Sequence, residues 1–383
     1  MRLNLPRTVV ILGLVSFLND AASEMITPLL PLFLTLSLGA GPAAVGLVEG
    51  VAEATASILK LVSGRLADRG WSHKRLVVGG YTVSNAARPL IGLALGWTWV
   101  LALRFLDRVG KGIRTSPRDA LIAGAAHGDR RGWAFGFHRA LDNLGAVLGP
   151  LTAFALLQWG LPLGHVFLWS VVPGVLVVTL LVAGLPASAP AARLAPAPVR
   201  WSALDPALRR LILATGGLAL ASAPEVFLVL WATDRGLAVA WVPLVWAAAS
   251  AVKAAVAGPA GALSDRLGRT PVLLGGWGLR ILLLAAFATV AATDWLVWAL
   301  FLGYAGALAA TEGPERAFVG DRAGTGQRAT AFGVYHMVTG LAALPGAVIF
   351  GSVWQAFGSN AAFGLAALVS AASASALLVG LRR

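Results

Sequence analysis

Long apolar runs separated by short polar breaks dominate the chain. A run of about twenty apolar residues is long enough to cross a bilayer as a helix. The pattern predicts twelve such spans, at residues 8–36, 43–64, 76–96, 98–124, 132–157, 165–185, 208–233, 240–262, 272–292, 295–320, 328–354 and 360–380. A segment rich in Pro, Ala and Arg separates six spans from six. We therefore predict an N-terminal half (1–185), a cytoplasmic linker (186–207) and a C-terminal half (208–383).

The two halves share short motifs at a constant spacing. "GRLADR", Gly64 to Arg69, returns 197 residues later as "GALSDR", Gly261 to Arg266, and "AFG" at 134–136 returns at 331–333. A fixed spacing indicates that the halves are duplicates. Duplicated membrane halves commonly enclose a solute site where they meet, so a transporter is the first hypothesis.

Composition restricts the alternatives. The chain is 58% hydrophobic and 12% charged, with a mean hydropathy of +0.78, which leaves too little polar surface for a water-soluble globule. The N-terminal apolar run is longer than a signal peptide and is interpreted as a retained first span. The absence of cysteine excludes disulfides and thiolate metal sites. Phosphate-binding loop motifs are also absent, and we expect neither a metal nor a cofactor.

The net charge of +13 is mostly a topology signal. Eighteen lysines and arginines fall in the termini and in the loops on the N-terminal side, against Arg235 alone in the opposite loops. By the positive-inside rule, both termini and the linker are cytoplasmic, in the inner membrane of a bacterial-type cell. A nucleic-acid partner is not expected.

Charges also occur inside the predicted spans, eleven basic and ten acidic. Each isolated charge at mid-bilayer costs about 2.5 kcal/mol or more, so these groups must pair, lie near helix ends or face water. Spans 3, 6, 9 and 12 hold almost none and are predicted to be peripheral. The other eight spans would then surround a hydrated space. The alternative is that the charges form salt bridges that only hold the bundle together.

Four mid-depth acids are the strongest candidates for proton binding, because a carboxyl group shielded from water can take up and release a proton. They are Asp20, Glu24, Glu53 and Asp142. Glu53 and Asp142 align with Ser250 and Thr339 in the second half, so the acids are not a shared framework. The remaining predicted site residues, which would favour an anionic or zwitterionic solute, are Arg104, Arg108, Lys111, Arg139, Glu225 and Lys253.

One pair of charges is reversed between the repeats. Arg118-Asp119 aligns with Glu315-Arg316, each after a proline. If spans 4 and 10 face each other, Arg118 meets Glu315 and Asp119 meets Arg316, which predicts an inner gate. Alternatively, each pair is satisfied within its own half.

These motifs resemble the major facilitator superfamily, whose members have twelve helices in two six-helix halves. The family signature G-x-L-x-D-R-x-G-R/K is matched by Gly261, Leu263, Asp265, Arg266, Gly268 and Arg269, and in part by Gly64, Leu66, Asp68 and Arg69. The resemblance implies a conformational, gating role for both copies. Arg104 is similar to the family's arginine implicated in proton coupling. Gly145, Gly149 and Pro150 resemble part of its antiporter signature, although small residues at this spacing also favour close helix packing.

The sequence thus predicts an all-α membrane protein, and not an enzyme, that transports a small-molecule solute by alternating access. We expect protons, or sodium, to be the coupling ion. We also expect the chain to be surrounded by membrane lipid and to function as a monomer. Proton-driven efflux of drugs or amphipathic cations is an alternative. A membrane receptor or enzyme on the same scaffold is a further one, disfavoured because no nucleophile, metal cluster or soluble domain is recognisable.

Overall fold

Helices account for nearly all of the residues that the computed structural model describes, which are 6–125, 131–186, 201, 204–221, 223–290, 294–322 and 328–382. The α-helices are Arg7–Glu24 (α1), Leu30–Leu32 (α2), Pro42–Asp68 (α3), His73–Leu90 (α4), Trp97–Ala125 (α5), Arg131–Gln158 (α6), Leu163–Trp169 (α7), Val171–Gly184 (α8), Pro206–Leu220 (α9), Glu225–Asp234 (α10), Val242–Leu267 (α11), Arg269–Thr289 (α12), Asp294–Arg322 (α13) and Arg328–Arg382 (α14). Strands are absent from these residues. The linker predicted at 186–207 lies largely outside them.

The predicted first and seventh spans are each interrupted. α1 ends at Glu24, and a π-helical turn, Phe33–Ser37, follows α2. α9 ends at Leu220, four residues before Pro224. Proline has no N–H to donate and its ring clashes with the carbonyl four residues earlier, so Pro28 and Pro224 end these helices. At the 197-residue spacing, the end of α1 at Glu24 corresponds to position 221, one residue after the end of α9 at Leu220, so both repeats break at corresponding positions.

Within the part of the chain that the structure describes, seven helical segments are long and apolar enough to cross a membrane, from 134–158 through 331–380. α14 covers both of the last two predicted spans, but Gly358 has φ +85° and separates them. Left-handed backbone of this kind favours glycine. The prediction of two helices here is therefore consistent with the backbone, since the connection is a single glycine.

The chain divides into two compact units. Unit 1 contains the described residues of Met1–Leu38, Thr55–Pro196 and Val242–Ala247, and unit 2 those of Gly39–Ala54, Ala197–Trp241 and Ala248–Arg383. The core of unit 1 includes Val9, Leu12 and Tyr81, all fully buried. The core of unit 2 is built around Leu211 and Trp277, which are also fully buried.

The first part of α3 packs within unit 2, against α14. Gly46 lies against the carbonyl of Ala347, and Gly351 lies against the carbonyl of Pro42, so close that a Cβ at either glycine would collide with backbone. The units therefore follow the predicted halves except at residues 39–54 and 242–247. The division into functional halves at 186–207 stays a prediction.

Candidate functional site: a polar network in unit 1

Two predicted acids meet between α1 and α6. The carboxyl groups of Asp20 and Asp142 lie within hydrogen-bonding distance of each other. Asp142 accepts two further hydrogen bonds, from Ser16 Oγ at 2.6 Å and from Arg139 Nη1 at 3.0 Å. The sequence placed Arg139 and Asp142 on one helix face, and the structure joins that face to Asp20, 122 residues away in the chain.

Glycine allows α1 and α6 to approach this closely. A Cβ at Gly145 would collide with the carbonyl of Phe17, and a Cβ at Gly149 with the carbonyl of Ala21. The segment that resembles the antiporter signature thus serves helix packing in this structure, which was the alternative explanation for its small residues. The same close contact sets the position of Asp20, which lies between Phe17 and Ala21 on α1.

Asn19 extends the polar network from Asp20 toward α4. Its Nδ2 donates to Asp20 Oδ1 at 3.1 Å, while its Oδ1 accepts from Arg88 Nη1 at 2.9 Å and from Asn85 Nδ2 at 3.4 Å. Arginine can only donate, which fixes the orientation of the Asn19 amide and makes Asp20 Oδ1 an acceptor. Asn19 is buried, with 2% of its surface exposed.

Beyond Asn19, arginines surround a single buried aspartate. Asp107 on α5 accepts from Arg88 Nε at 2.9 Å and lies 3.5 Å from Arg104 Nη1 and 3.9 Å from Arg108 Nε. The side chain of Asp107 is only 1% exposed. The attraction between its carboxylate and the guanidinium groups offsets the free-energy cost of removing these charges from water. Two predicted solute-binding residues, Arg104 and Arg108, are thereby brought together.

Arg88, Asn19 and Ser16 are part of the network but were not predicted from the sequence. Arg88 was passed over because span 3 carries a single charge and was predicted to be peripheral; the structure corrects this, since Arg88 is buried and ion-paired. The lone charge was itself the available signal, because an isolated arginine in a span needs a partner. Asn19 and Ser16 are neutral, and nothing in their spacing pointed to them.

The other predicted solute-site residues are divided between the two units. Lys111 is half-buried on α5. Glu24, at the end of α1, accepts a 2.9 Å hydrogen bond from Trp246 Nε1, also in unit 1. In unit 2, Lys253 Nζ lies 2.5 Å from Glu225 Oε1, so those two predicted residues pair. Glu53 belongs to unit 2 and is exposed.

The four candidate gate residues each have a partner in their own unit. Arg118 Nη2 lies 2.8 Å from Asp119 Oδ1, and Arg316 Nη2 lies 2.5 Å from Glu312 Oε1. Glu315 accepts from Trp277 Nε1 at 2.9 Å and from the hydroxyl of Tyr335 at 2.8 Å. Such contacts are expected if each charge is satisfied within its own half, while the inner gate stays a prediction.

The repeated "DR" motif forms an ion-pair network in unit 2. Arg269 Nη1 donates to Asp265 Oδ1 at 2.5 Å and to Ser264 Oγ at 2.8 Å, while its Nε donates to Asp321 Oδ2 at 3.0 Å. Asp321, at the end of α13, was not predicted.

The predicted gating residues of the motif also include glycines and arginines whose surroundings differ. A Cβ added at Gly64 would lie 3.5 Å from the Cβ of Ser116, which is ordinary van der Waals contact. Gly261 is half-buried, whereas Arg69 and Arg266 are exposed. The side chain of Asp68 lies outside those that the structure describes, so the first copy of the network is not compared. Across the described side chains, His, Asp and Glu form no cluster that could hold a metal ion.

Known proteins are similar to this chain in sequence and in fold. The sequence profile of the Major Facilitator Superfamily matches residues 12–347. An uncharacterised MFS-type transporter of Methanocaldococcus jannaschii is 33% identical over 358 residues, which cover 92% of this chain and 89% of that protein. An uncharacterised protein of Mycobacterium bovis is 33% identical over 381 residues, covering 91% and 87%.

Solved transporters share the architecture at low identity. A bacterial homologue of the human lysosomal transporter Spinster superposes with a TM-score of 0.81 at 19% identity, covering 98% of this chain and 96% of that one. The nucleoside transporter NupG gives a TM-score of 0.79 at 16% identity, covering 98% and 99%. The predicted fold of twelve helices in two bundles is confirmed, and the chain belongs to the major facilitator superfamily as a multi-pass membrane transporter, not an enzyme.

Proposed function

We propose that this chain is a proton-coupled secondary transporter that moves a small solute across the inner membrane by alternating access. Both termini are cytoplasmic, and the moving bodies are the halves 1–185 and 208–383, joined by the linker 186–207. The eighteen-to-one distribution of basic residues supports this topology. The matched interruptions of the first and seventh spans support a solute site near their depth, because broken helices at corresponding repeat positions commonly line such sites.

The observation that carries the proposal is the contact between Asp20 and Asp142. A hydrogen bond between two carboxyl groups requires a proton on one of them. Asp142 accepts from Ser16 and from the guanidinium of Arg139, and both donors favour its ionised form. Asp20 accepts from the neutral amide of Asn19, which favours a carboxylate less than a guanidinium does, so we assign the proton to Asp20.

The duplicated half supports a specific role for this acid pair. At the 197-residue spacing, Asp20 corresponds to Gly217 and Asp142 to Thr339. Acids needed only to hold a bundle together would be useful in both copies. The pair is present in one, as expected if a single coupled proton is bound per transport cycle.

We further propose that the solute carries a carboxylate or another anionic group, alone or as a zwitterion. Arg104 and Arg108 share Asp107, and Lys111 lies one turn beyond Arg108 on α5. Arg139 and Lys253 are not included among the proposed solute-binding residues, because Arg139 belongs to the proposed proton site through Asp142 and Lys253 is paired with Glu225 in unit 2. Arginine suits a carboxylate because its planar fork can donate two parallel hydrogen bonds.

Reconstituted protein tests the coupling. Purified protein is first screened for thermal stabilisation by small carboxylates, amino acids and organic phosphates, since a ligand that binds only the folded state raises the melting temperature. Uptake of a stabilising solute into liposomes is then measured with an imposed pH gradient, with a sodium gradient and with neither. The Asp20→Asn variant should lose gradient-driven uptake but keep exchange of solute across the membrane.

Asp205→Asn is the matched control, because Asp205 caps α9 by accepting from the N–H groups of Ala207 and Leu208, and asparagine caps equally well. Asp205→Asn should transport like the unaltered protein. Uptake that responds to sodium and not to pH, or an Asp20→Asn variant still driven by a pH gradient, contradicts proton binding at Asp20.

A further inference from the structure

A cavity of about 350 Å³ lies at the end of α10, within unit 2. The connection between α10 and α11 lines it with Arg235, Leu237 and Trp241, and the start of α13 lines it with Val297 and Trp298. The chain turns sharply between Arg235 and Leu237, where Gly236 has φ +94°. The walls therefore combine one cation with apolar and aromatic surface. We refer to these five residues as the α10 pocket.

The guanidinium of Arg235 is held in a fixed orientation. Its plane lies over the ring of Trp231, with 4.5 Å from Cζ to the ring centroid, and its Nη2 donates to Asn360 Oδ1 at 3.1 Å. Trp231 is fully buried and donates to the carbonyl of Phe287, so the ring that supports the guanidinium is itself anchored. An arginine held in this way loses little conformational entropy on binding an anion.

Burial affects the charge of Arg235. Partial removal from water lowers the pKa of Arg235 below its ordinary value, while the neighbouring carboxylate of Asp234 opposes the shift. The Coulomb attraction of an anion would be strengthened in this partly dehydrated position. Asp234 is not part of the pocket wall: it is the last residue of α10, directly before Arg235, and its side chain is exposed. The end of α10 therefore offers a carboxylate beside the guanidinium to a ligand that has both signs of charge and extends out of the pocket.

Arg235 is also exceptional in the topology. It is the only lysine or arginine in the loops predicted to face outward. Basic residues are depleted from that side of membrane proteins, so a role beyond topology is needed for this one. Trp241 and Trp298 place the pocket at the depth where tryptophan prefers to lie, at the level of the lipid head groups.

We propose that the α10 pocket binds a zwitterionic phospholipid that carries a primary ammonium group. The phosphate is held by Arg235, the ammonium by Asp234, and the glycerol and upper acyl carbons by Leu237, Val297 and the two tryptophans. A phospholipid satisfies all three features at once, whereas a free phosphate would leave the apolar walls and Asp234 unused.

Lipid titrations of detergent-purified protein test the proposal. Binding of phosphatidylethanolamine, phosphatidylcholine and phosphatidylglycerol is compared by native mass spectrometry and by the shift in melting temperature. Phosphatidylcholine has a quaternary ammonium that cannot donate a hydrogen bond to Asp234. We expect phosphatidylethanolamine to bind about tenfold tighter than phosphatidylcholine, which is what one hydrogen bond between charged groups contributes.

Two variants separate the roles of the charged residues. Asp234→Asn should abolish the preference for phosphatidylethanolamine over phosphatidylcholine, and Arg235→Gln should weaken binding of both lipids. Arg322→Gln is the matched control, because Arg322 also stacks on an aromatic ring, 5.6 Å from Phe318, but lies at the other end of the unit's helices. It should bind lipid like the unaltered protein.

Several outcomes would overturn the assignment. Equal binding of phosphatidylethanolamine and phosphatidylcholine, or tighter binding of phosphatidylglycerol, would contradict recognition of the ammonium group. If Arg235→Gln does not fold, the Asp234→Asn variant still tests the proposal, because it should bind phosphatidylethanolamine and phosphatidylcholine equally. Stabilisation by soluble O-phosphoethanolamine equal to that by the lipid would show that the ligand is the free head group and not a phospholipid.

Discussion

Arg88 Nη1 donates a 2.9 Å hydrogen bond to Asn19 Oδ1, and this contact connects two clusters that the sequence keeps far apart. On one side, Asn19 donates to Asp20, the acid to which we assign the proton. On the other side, Arg88 is paired with Asp107 inside the arginine cluster. The buried side chains of Asn19, Arg88 and Asp107 thus link α1, α4 and α5 inside unit 1.

Replacement of Asn19 should test the importance of this link. Asn19→Ala removes one hydrogen bond from the buried guanidinium of Arg88 and one from the half-buried carboxyl group of Asp20, and we expect a loss of about 1–3 kcal/mol in the free energy of unfolding. Thermal unfolding of the purified protein measures it. The control is Asn143→Ala, an exposed asparagine on α6 that should change stability by less than about 0.5 kcal/mol. Equal melting temperatures for the two variants would refute the link.

The aspartate of the arginine cluster should be its most sensitive member. Asp107→Asn removes the carboxylate that contacts Arg88, Arg104 and Arg108, and breaking a buried charge pair costs about 3–5 kcal/mol. Arg88→Gln should cost less, because Asp107 keeps its other two partners. Melting temperatures should therefore rank Asp107→Asn below Arg88→Gln.

An exposed carboxylate provides the control for the arginine cluster. Asp321 lies 3.0 Å from Arg269 but is 57% exposed, so Asp321→Asn should cost less than about 1 kcal/mol. A loss from Asp107→Asn no larger than that from Asp321→Asn would show that the cluster does not stabilise the fold.

The contact between α1 and α6 should tolerate no added atoms. Gly149→Ala places a methyl group against the carbonyl of Ala21, so the two helices must separate, and overpacking of this kind costs about 1–3 kcal/mol. Gly136→Ala is the matched control on the same helix, since nothing lies within 4 Å of its ideal Cβ. That change should be neutral or slightly stabilising, because alanine has the higher helix propensity. If both variants melt at the same temperature, the close approach is not needed.

Charge exchange should distinguish the two pairings considered for Arg118. Arg118→Asp alone places two acids side by side and should reduce uptake. Combining it with Asp119→Arg restores the 2.8 Å pair seen within unit 1 and should recover most of the uptake. Combining Arg118→Glu with Glu315→Arg should not recover uptake, because the loss of Glu315 also removes the hydrogen bonds from Trp277 and Tyr335. Recovery only in the second combination would favour the inner gate.

Periodicity and composition were sufficient to predict much of the fold. Spans follow from the length of apolar runs, because a bilayer leaves backbone polar groups no partner except the helix itself. The prolines at 28 and 224 also make the helix interruptions readable from the sequence, although we predicted continuous spans. The pairing of Arg139 with Asp142 was accessible for the same reason, since neighbours three residues apart share a helix face.

The partners across helices were not accessible in this way. Asp20 and Asp142 could be selected separately as acids in apolar runs, but their meeting depends on how far α1 and α6 approach, which Gly145 and Gly149 decide. Arg88 was not predicted because a sequence pattern gives the number of charges in a span but not the side of the helix on which a single charge lies.

The sequence by itself determined the class of this protein: a duplicated membrane chain with its basic residues concentrated in the loops of one side and more charges within its spans than lipid would accept without pairing. These properties depend on composition and on spacing along one chain. Only the tertiary structure decided which charge pairs with which, placing Asp20 against Asp142, Arg88 against Asp107 and Lys253 against Glu225. The reason is that a buried charge is stabilised over a few ångströms, and distances of that size between helices are set by packing rather than by sequence separation.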